Sequence, residues 1–198
     1  MGTERLLAGV PEHLRRAARL LREGRIVAFP TETVYGLGVR CDDGRAVERL
    51  RELKQRPVGK EFSLLVSSLE DAERYGELSG SARRLAEAFW PGPLTLVVPD
   101  GRGADVGLRC PDSATARELV RLTGVALAAP SANLSGEPPA LTADRVLRDF
   151  GGRIAAMVDG GEVAIGVAST VVRASAEQVE VLREGALSEE EIRAALED

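Results

Sequence analysis

Short apolar runs alternate with amphipathic stretches along the sequence, and chains with this pattern fold into a sheet covered by helices. Pro11 to Arg22 places leucine and alanine at helical spacing, whereas Arg25 to Phe29 and Val125 to Ala129 are compact apolar runs typical of strands. Near the carboxyl terminus, strand-like runs follow one another with no helix between them, which favours antiparallel pairs beside parallel ones. We therefore predict an α/β fold, an open twisted mixed β-sheet flanked by helices, in one domain spanning residues 1–198.

The remaining elements are predicted from periodicity and from capping or breaking residues. Further helices are expected over Ala46 to Leu53, Leu69 to Tyr75, Ser81 to Phe89, Ser113 to Leu122, Thr142 to Phe150 and from Ser188 onward. Further strands are expected over Phe62 to Val66, Leu94 to Val98, Val106 to Cys110, Ala155 to Val158, Ser169 to Val172 and Val179 to Leu182. A polar loop is expected between the strand ending at Phe29 and the helix beginning near Ala46.

Composition removes several classes of function. The 198 residues include two cysteines, Cys41 and Cys110, without CxxC spacing, so a disulfide framework and a Cys/His zinc site are excluded. The single histidine, His13, leaves no Ser-His-Asp or Cys-His mechanism unless it supplies the imidazole itself. No apolar run approaches the roughly 20 residues that cross a bilayer, and the first residues carry no signal-peptide pattern. A cytoplasmic protein without a membrane span is expected.

Three loops share one design, in which two polar residues at positions i and i+2 stand beside a proline. The pairs are Thr31 and Thr33, Lys54 and Arg56, and Ser131 and Asn133. Because Arg56 precedes a proline, it is expected to be extended, and the helix before it is expected to end near Lys54. Alternate residues of an extended chain point to the same side, so Lys54 and Arg56 form a pair of cations suited to a polyphosphate or a carboxylate.

Two of these loops directly follow buried strands, and ligands of open α/β sheets collect beyond the carboxyl ends of strands. The three pairs are therefore expected to line one crevice. Each pair also has a plainer interpretation: the hydroxyl and amide pairs cap turns, and the Lys54/Arg56 pair is a solvated helix end. Neither a GxGxxG nor a Walker A motif is present.

Six elements then occur in order and together resemble one known family. They are Pro30 to Gly38 (PTETVYGLG), Lys54 to Pro57 (KQRP), Trp90 to Thr95 (WPGPLT), Pro130 to Gly136 (PSANLSG), Ser169 to Val172 (STVV) and Leu182 to Gly185 (LREG). This series closely resembles the YrdC/TsaC family of threonylcarbamoyl-AMP synthases. The resemblance covers about residues 10–188, and the chain looks like the short, single-domain form of the family.

The resemblance implies a nucleotidyltransferase that converts L-threonine, bicarbonate or CO₂, and ATP into threonylcarbamoyl-AMP and pyrophosphate. This is the first step toward threonylcarbamoyladenosine beside the tRNA anticodon. A downstream tRNA threonylcarbamoyl transferase complex is the implied partner, and direct contact with tRNA is a further possibility.

The resemblance also implies roles for individual residues. Threonine is expected to be held by Thr33, Arg109 and Ser169. ATP is expected to be held by Lys54, Arg56, Ser131, Asn133 and Arg183, with Lys54 and Arg56 as the catalytic pair. Mg²⁺ is expected to arrive with ATP, without direct protein ligands. The chain departs from the common pattern at Leu65, where a histidine is frequent, and at Lys60, where asparagine is frequent.

Two alternative functions stay open at this point. One is a noncatalytic RNA-binding protein of the same fold, although the net charge of −5 argues against strong sequence-independent binding. The other is carbamoyl-adenylate chemistry related to hydrogenase maturation. The arginines of the first helix are interpreted as a solvated face, and Trp90 as a buried anchor in a turn.

Overall fold

The computed structural model describes residues 2–57, 59, 61–78, 80–134, 136–175 and 178–197. Within this part of the chain the strands are β1 (Glu4–Leu7), β2 (Val27–Pro30), β3 (Tyr35–Arg40), β4 (Leu64–Leu65), β5 (Leu94–Pro99), β6 (Asp105–Arg109), β7 (Leu127–Ala128), β8 (Ala156–Asp159), β9 (Thr170–Ala174) and β10 (Val179–Arg183). The helices are α1 (Pro11–Arg22), α2 (Gly44–Lys54), α3 (Leu69–Ala72), α4 (Ser81–Phe89), α5 (Ala114–Thr123), α6 (Ala143–Phe150) and α7 (Glu189–Glu197).

All of these strands join one mixed sheet in the order β1-β8-β2-β3-β7-β4-β6-β5-β9-β10. Parallel pairs form between β1 and β8, β2 and β8, β4 and β6, and β5 and β9. The other neighbouring strands pair antiparallel, including β2 with β3 and β9 with β10. The predicted open mixed sheet with helices is confirmed.

Helices cover both faces of the first half of the sheet, and β2 shows how. Val27 and Phe29 pack in a cluster with residues of α1 and α5, whereas Ala28 packs with residues of α2 and α6. Alternate residues of a strand point to opposite faces, so a continuous apolar strand is what a sheet buried on both sides requires. In the second half, Leu96 of β5 packs in a cluster with Leu85 of α4 and Ile192 of α7.

Most elements lie where the sequence predicts them, and α1 and α4 match to the residue. The polar loop expected after Phe29 is wrong, because Tyr35–Arg40 forms the central strand β3. Strand β3 contains glycines, which are uncommon inside strands, so the sequence does not predict it. A Cβ on Gly38 would lie 2.4 Å from Cε1 of Phe29, and the close approach of β3 to that ring therefore requires glycine. Strand β1 was also missed, since Leu6 is its only buried residue.

Trp90 lies between α4 and β5 and is half-buried against the apolar cluster that contains Leu96. Its Nε1 donates a hydrogen bond of 2.7 Å to the carbonyl of Leu94. Trp90 is therefore an anchor in this turn, as predicted, but it is half-buried where a buried side chain was expected. In the described ranges, no helix combines the length and the apolar character that a membrane span needs.

Candidate active site

A cavity of about 390 Å³ lies where the loops after β2 and β7, the end of α2 and strands β4, β5 and β6 converge. Seven of the eight residues predicted to form the site line it: Lys54, Arg56, Arg109, Ser131, Asn133, Ser169 and Arg183. Thr31, Leu65 and Thr95 line it as well. The expectation that the polar loops form one crevice is confirmed for all of the paired residues except Thr33.

Lys54 reaches the cavity because it is the last residue of α2. Asp43 caps the first turn by accepting bonds from the amides of Arg45 and Ala46, and the helix then runs to Lys54. The next residue, Gln55, has a φ of 52°, so the chain turns through the left-handed region at this point. The predicted helix end is therefore right, but the extended geometry expected from Lys54 to Arg56 is wrong. A left-handed cap, common at helix ends, brings both cations to the cavity.

The ammonium group of Lys54 is held by oxygens of the loop after β7. Nζ donates to the carbonyl of Ser131, to the carbonyl of Asn133 at 2.8 Å and to Oδ1 of Asn133 at 3.2 Å. Lys54 is only 5% exposed, and burial together with the nearby Arg56 lowers its pKa to about 8. Three neutral acceptors satisfy the ammonium without cancelling its charge.

The loop after β7 is itself built into the sheet. Ser131 bridges to Gly36 of β3, and the amide of Ala132 donates to the carbonyl of Tyr35 at 2.7 Å. Ser131 Oγ donates to Oδ1 of Asn133 at 2.6 Å, which confirms that the pair shares one side. The amide group of Asn133 also caps the following turn by donating to the carbonyls of Leu134 and Glu137, so the capping interpretation holds at the same time.

Arg56 is positioned by the aromatic ring of Phe62, which no motif in the sequence indicates. The guanidinium carbons of Arg56 and Arg51 lie 5.1 and 5.3 Å from the centre of the Phe62 ring, and Phe62 lines the cavity. Arg56 Nη2 also donates to the carbonyl of Glu61 at 2.9 Å. Cation–π contact of this kind holds a guanidinium in place while leaving its charge intact.

The hydroxyls of Thr31, in the cavity lining, and Thr33, behind it, are hydrogen-bonded to each other. Thr31 Oγ1 donates to the carbonyl of Val34 at 2.6 Å, so in its 2.9 Å contact with Thr33 the proton comes from Thr33. Thr33 Oγ1 in turn accepts a bond of 2.9 Å from Arg109 Nη2. Thr33 is fully buried and does not line the cavity, so this geometry makes it a support for Arg109.

Arg109, at the end of β6, is held from three sides. Its Nη2 donates to Oε1 of Glu32 at 2.7 Å as well as to Thr33, and its Nε donates to the carbonyl of Gly92 at 3.3 Å. The Arg109 and Glu32 side chains are 8% and 9% exposed, so this is a buried ion pair. Nη1 has no hydrogen-bond partner among the described residues, which leaves it as the donor available to a ligand.

Ser169 and Arg183 complete this side of the cavity. Ser169 Oγ lies 2.8 Å from Oγ1 of Thr95, a contact set by the parallel register of β5 and β9. Arg183 Nη2 donates to the carbonyl of Ser169 at 2.7 Å. Desolvation and the neighbouring Arg109 lower the pKa of Arg183, since both disfavour a second positive charge at this place.

The described lining of the cavity contains no carboxylate, and no cluster of three potential metal ligands occurs among the described residues. Leu65 lines the cavity and pairs in register with Arg109, so this departure from the common family pattern lies in the site. Lys60, the other departure, lies outside the described residues.

The arginines of α1 lie away from the cavity and are partly neutralised. Arg15 pairs with Glu12 at 3.0 Å, and Arg16 forms a two-nitrogen ion pair with Glu4. The interpretation of this face as solvated surface agrees with these pairs.

Sequence reasoning missed three supporting residues of the site: Glu32, Phe62 and Thr95. Glu32 lies in the motif Pro30 to Gly38, and Thr95 lies in the motif Trp90 to Thr95. Their place in these motifs is the signal that indicates a role in the site. Phe62 offered no signal, because an aromatic residue at the start of a predicted strand is typical of a core.

Comparison with known proteins identifies the group to which these features belong. The sequence profile of the Sua5/YciO/YrdC family, described as "Telomere recombination", matches residues 19–185. The chain is 44% identical over 189 residues to the threonylcarbamoyl-AMP synthase of Pyrococcus abyssi (strain GE5 / Orsay), covering 90% of this chain and 56% of that protein. It is 40% identical over 205 residues to the threonylcarbamoyl-AMP synthase of Bacillus subtilis (strain 168), covering 98% of this chain and 59% of that protein.

A solved structure gives the same result for the fold. The crystal structure of P. abyssi Sua5 complexed with L-threonine superposes with a TM-score of 0.91 at 40% identity, covering 98% of this chain and 60% of that one. The chain thus spans little more than half the length of the curated relatives named above. The expected short, single-domain form stays a prediction, because these relatives are longer than this chain.

Proposed function

Because the chain belongs to the Sua5/YciO/YrdC family, we propose that it is a threonylcarbamoyl-AMP synthase, which joins L-threonine, bicarbonate or CO₂, and ATP. One observation carries the proposal: the cavity is lined by two sets of cations, one among neutral groups and the other including an arginine that is paired with a buried carboxylate. A zwitterionic amino acid and a polyphosphate need such different surroundings.

The first group, here named the cationic corner, consists of Lys54, Arg56, Ser131 and Asn133. Lys54 is held by carbonyl and amide oxygens, and Arg56 contacts the Phe62 ring, so both side chains bring positive charge to this corner. A triphosphate is the natural ligand of such a corner, and hydroxyl and amide groups add donors of fixed geometry. We assign ATP to it.

The second group, here named the balanced corner, consists of Glu32, Thr33, Arg109 and Ser169. Arg109 is paired with a buried carboxylate and still offers Nη1 toward the cavity. A guanidinium binds the α-carboxylate of an amino acid well, and Ser169, which lines the same cavity, adds a hydroxyl group. We assign L-threonine to this corner, with Arg183 at its boundary to the triphosphate.

The reaction proposed for this cavity needs positioning more than acid–base chemistry. The threonine amine attacks the carbon of CO₂ and loses a proton to give a carbamate, whose oxygen then attacks the α-phosphorus of ATP while pyrophosphate leaves. Lys54, Arg56 and Arg183 orient the triphosphate and stabilise the charge that develops on pyrophosphate. Arg109 binds the α-carboxylate and so keeps the carbamate group of the same molecule near the phosphorus.

Mg²⁺ enters this proposal with ATP. A lining without carboxylates among the described residues fits an ion that is carried by phosphate oxygens. When bound, the ion supplies neutralisation of phosphate charge. Delivery of the product to a tRNA threonylcarbamoyl transferase complex is part of the proposal through the family alone.

The test is release of pyrophosphate from ATP with Mg²⁺ and bicarbonate, measured with and without L-threonine and with L-serine as the control amino acid. Release that depends on L-threonine is the expected result. Folded protein that releases no pyrophosphate with any amino acid contradicts the proposal, and RNA binding with a steep salt dependence then becomes the better account.

A further inference from the structure

Glu32 is a buried acid that the proposed reaction does not use directly. Its Oε1 accepts the 2.7 Å bond from Arg109, while its Oε2 is buried without a hydrogen-bond partner in the described part of the chain. A half-satisfied buried carboxylate is costly, so packing alone does not account for an acid here. Its neighbour Arg109 lines the cavity, whereas Glu32 does not.

The Glu32–Thr33 segment controls which part of Arg109 meets a ligand. Both residues accept from the same nitrogen, Nη2, so this end of the guanidinium is turned into the wall. The carbonyls of Glu32 and Thr33 also accept bonds of 2.9 Å from the amides of Ile165 and Gly166. One turn therefore holds Arg109 and the segment that leads to Ser169.

Glu32 also sets the charge of the balanced corner. The ion pair has no net charge, which suits a zwitterion such as an amino acid. An arginine without its carboxylate is a strong phosphate ligand, and Arg183 and the cationic corner lie in the same cavity. The polyphosphate of one substrate would then compete for the arginine that the other substrate needs.

We propose that Glu32 is a specificity-determining positioning residue, which orients Arg109 and neutralises it so that the balanced corner accepts an amino-acid zwitterion and rejects phosphate. The inference rests on the proposed function, because it takes L-threonine as the ligand of Arg109.

The test is calorimetric binding of L-threonine to the full chain, with and without inorganic tripolyphosphate. Glu32→Gln keeps an oxygen that can accept from Arg109 but removes the charge. Thr33→Val keeps the shape and the charge but removes the second acceptor. Glu4→Gln is the matched control, because it removes the same charge from an Arg16 ion pair outside the cavity lining.

For Glu32→Gln, the threonine Kd without tripolyphosphate is expected within about threefold of the parent value, since the hydrogen bond is retained. With tripolyphosphate present, the same variant is expected to bind threonine about tenfold more weakly. Arg109 then keeps its hydrogen bond but has no negatively charged partner, so it binds phosphate. Thr33→Val is expected to weaken threonine about fivefold in both conditions. Glu4→Gln and the parent are expected to show no effect of tripolyphosphate.

The proposal is overturned if Glu32→Gln behaves like Glu4→Gln in both conditions. It is also overturned if Thr33→Val leaves the threonine Kd unchanged or makes it sensitive to tripolyphosphate, and this arm decides the question should Glu32→Gln fail to fold. Parent protein that binds no threonine and releases no pyrophosphate refutes the proposed function instead. Parent protein that does both, with variants that match it, refutes only the role of Glu32.

Discussion

The two corners of the cavity hold their cations in opposite ways. Lys54 is surrounded by neutral oxygens and keeps its charge, whereas Arg109 is paired with the buried carboxylate of Glu32. Both arrangements satisfy the hydrogen bonds of a buried cation, but only the first leaves a net positive field. The acceptor that pairs with a buried cation therefore determines which anions that cation attracts.

The largest expected effect comes from Lys54→Ala in the cationic corner. The change removes an ammonium that donates to Ser131 and Asn133, so the loop after β7 loses its support together with the charge. Hydrogen bonds of charged groups contribute about 1.5–3 kcal/mol each, which predicts a fall in kcat/KM for ATP of about a hundredfold or more.

The measurement for Lys54→Ala is the initial rate of pyrophosphate release at varied ATP, with melting temperature as the check on folding. L-threonine binding without nucleotide is expected to change little, because Arg109 lies in the other corner. A loss of threonine affinity as large as the loss for ATP would contradict the division into two corners.

The pH dependence of ATP binding is the next largest effect, and it is expected from the Lys54 ammonium. Burial lowers the pKa of Lys54 to about 8, so above that pH the ammonium is lost and the KM for ATP rises, approaching about tenfold per pH unit. The free energy of unfolding changes in the opposite sense: it rises with pH while the affinity for ATP falls. Between about pH 8 and the ordinary lysine value of 10.5, the unfolded chain holds a proton that the folded chain has lost, so this group makes folding more favourable as pH rises.

The check on this prediction is the KM for ATP from pH 6.5 to 9.5, determined beside the Kd for L-threonine over the same range. A KM for ATP that stays flat across about pH 8 contradicts the buried ammonium described here.

Phe62→Leu tests how the cationic corner holds Arg56, with a smaller effect. The ring contact is lost while the apolar volume is largely kept, and a cation–π contact contributes about 0.5–2 kcal/mol. The KM for ATP is expected to rise about twofold to thirtyfold, with the threonine Kd within about twofold of the parent. Titration of both ligands against the purified variant provides the measurement, and equal losses for both would refute this role for the ring.

The smallest effect is expected in the balanced corner, from Thr95→Val. This change removes the hydroxyl that contacts Ser169 Oγ at 2.8 Å and leaves every charge in place. A neutral hydrogen bond contributes about 1 kcal/mol, so the KM for L-threonine is expected to rise about fivefold at unchanged KM for ATP. Steady-state kinetics in both substrates decides it; an effect on ATP alone would place Ser169 in the other corner.

How much of this molecule its sequence predicts depends on the range of the interaction involved. Helix α1 is predicted to the residue because its apolar spacing and its proline are local signals. Strand β3 is not predicted because glycine at position 38 is required by the ring of Phe29, which leaves no room for a Cβ atom. Only the folded sheet brings this ring close. Local patterns cannot report a clash that arises from tertiary packing.

The candidate site divides in the same manner. The pairing of Ser131 with Asn133 follows from i and i+2 spacing, and the structure confirms it. The attachment of Lys54 to Ser131 and Asn133 joins residues 77 and 79 positions apart, and the Arg109–Glu32 pair is equally distant in the chain. The sequence therefore predicts which polar side chains gather in the cavity, but not which of them hold the others.

Binding of L-threonine to the parent protein in the presence of saturating inorganic tripolyphosphate tests the two-corner division most directly. Both ligands are expected to bind at once, and the threonine Kd is expected to stay within about twofold of its value without tripolyphosphate. The reason is that the neutral Arg109–Glu32 ion pair does not attract phosphate. A threonine Kd that weakens in proportion to tripolyphosphate concentration would show one shared anion site and contradict the account.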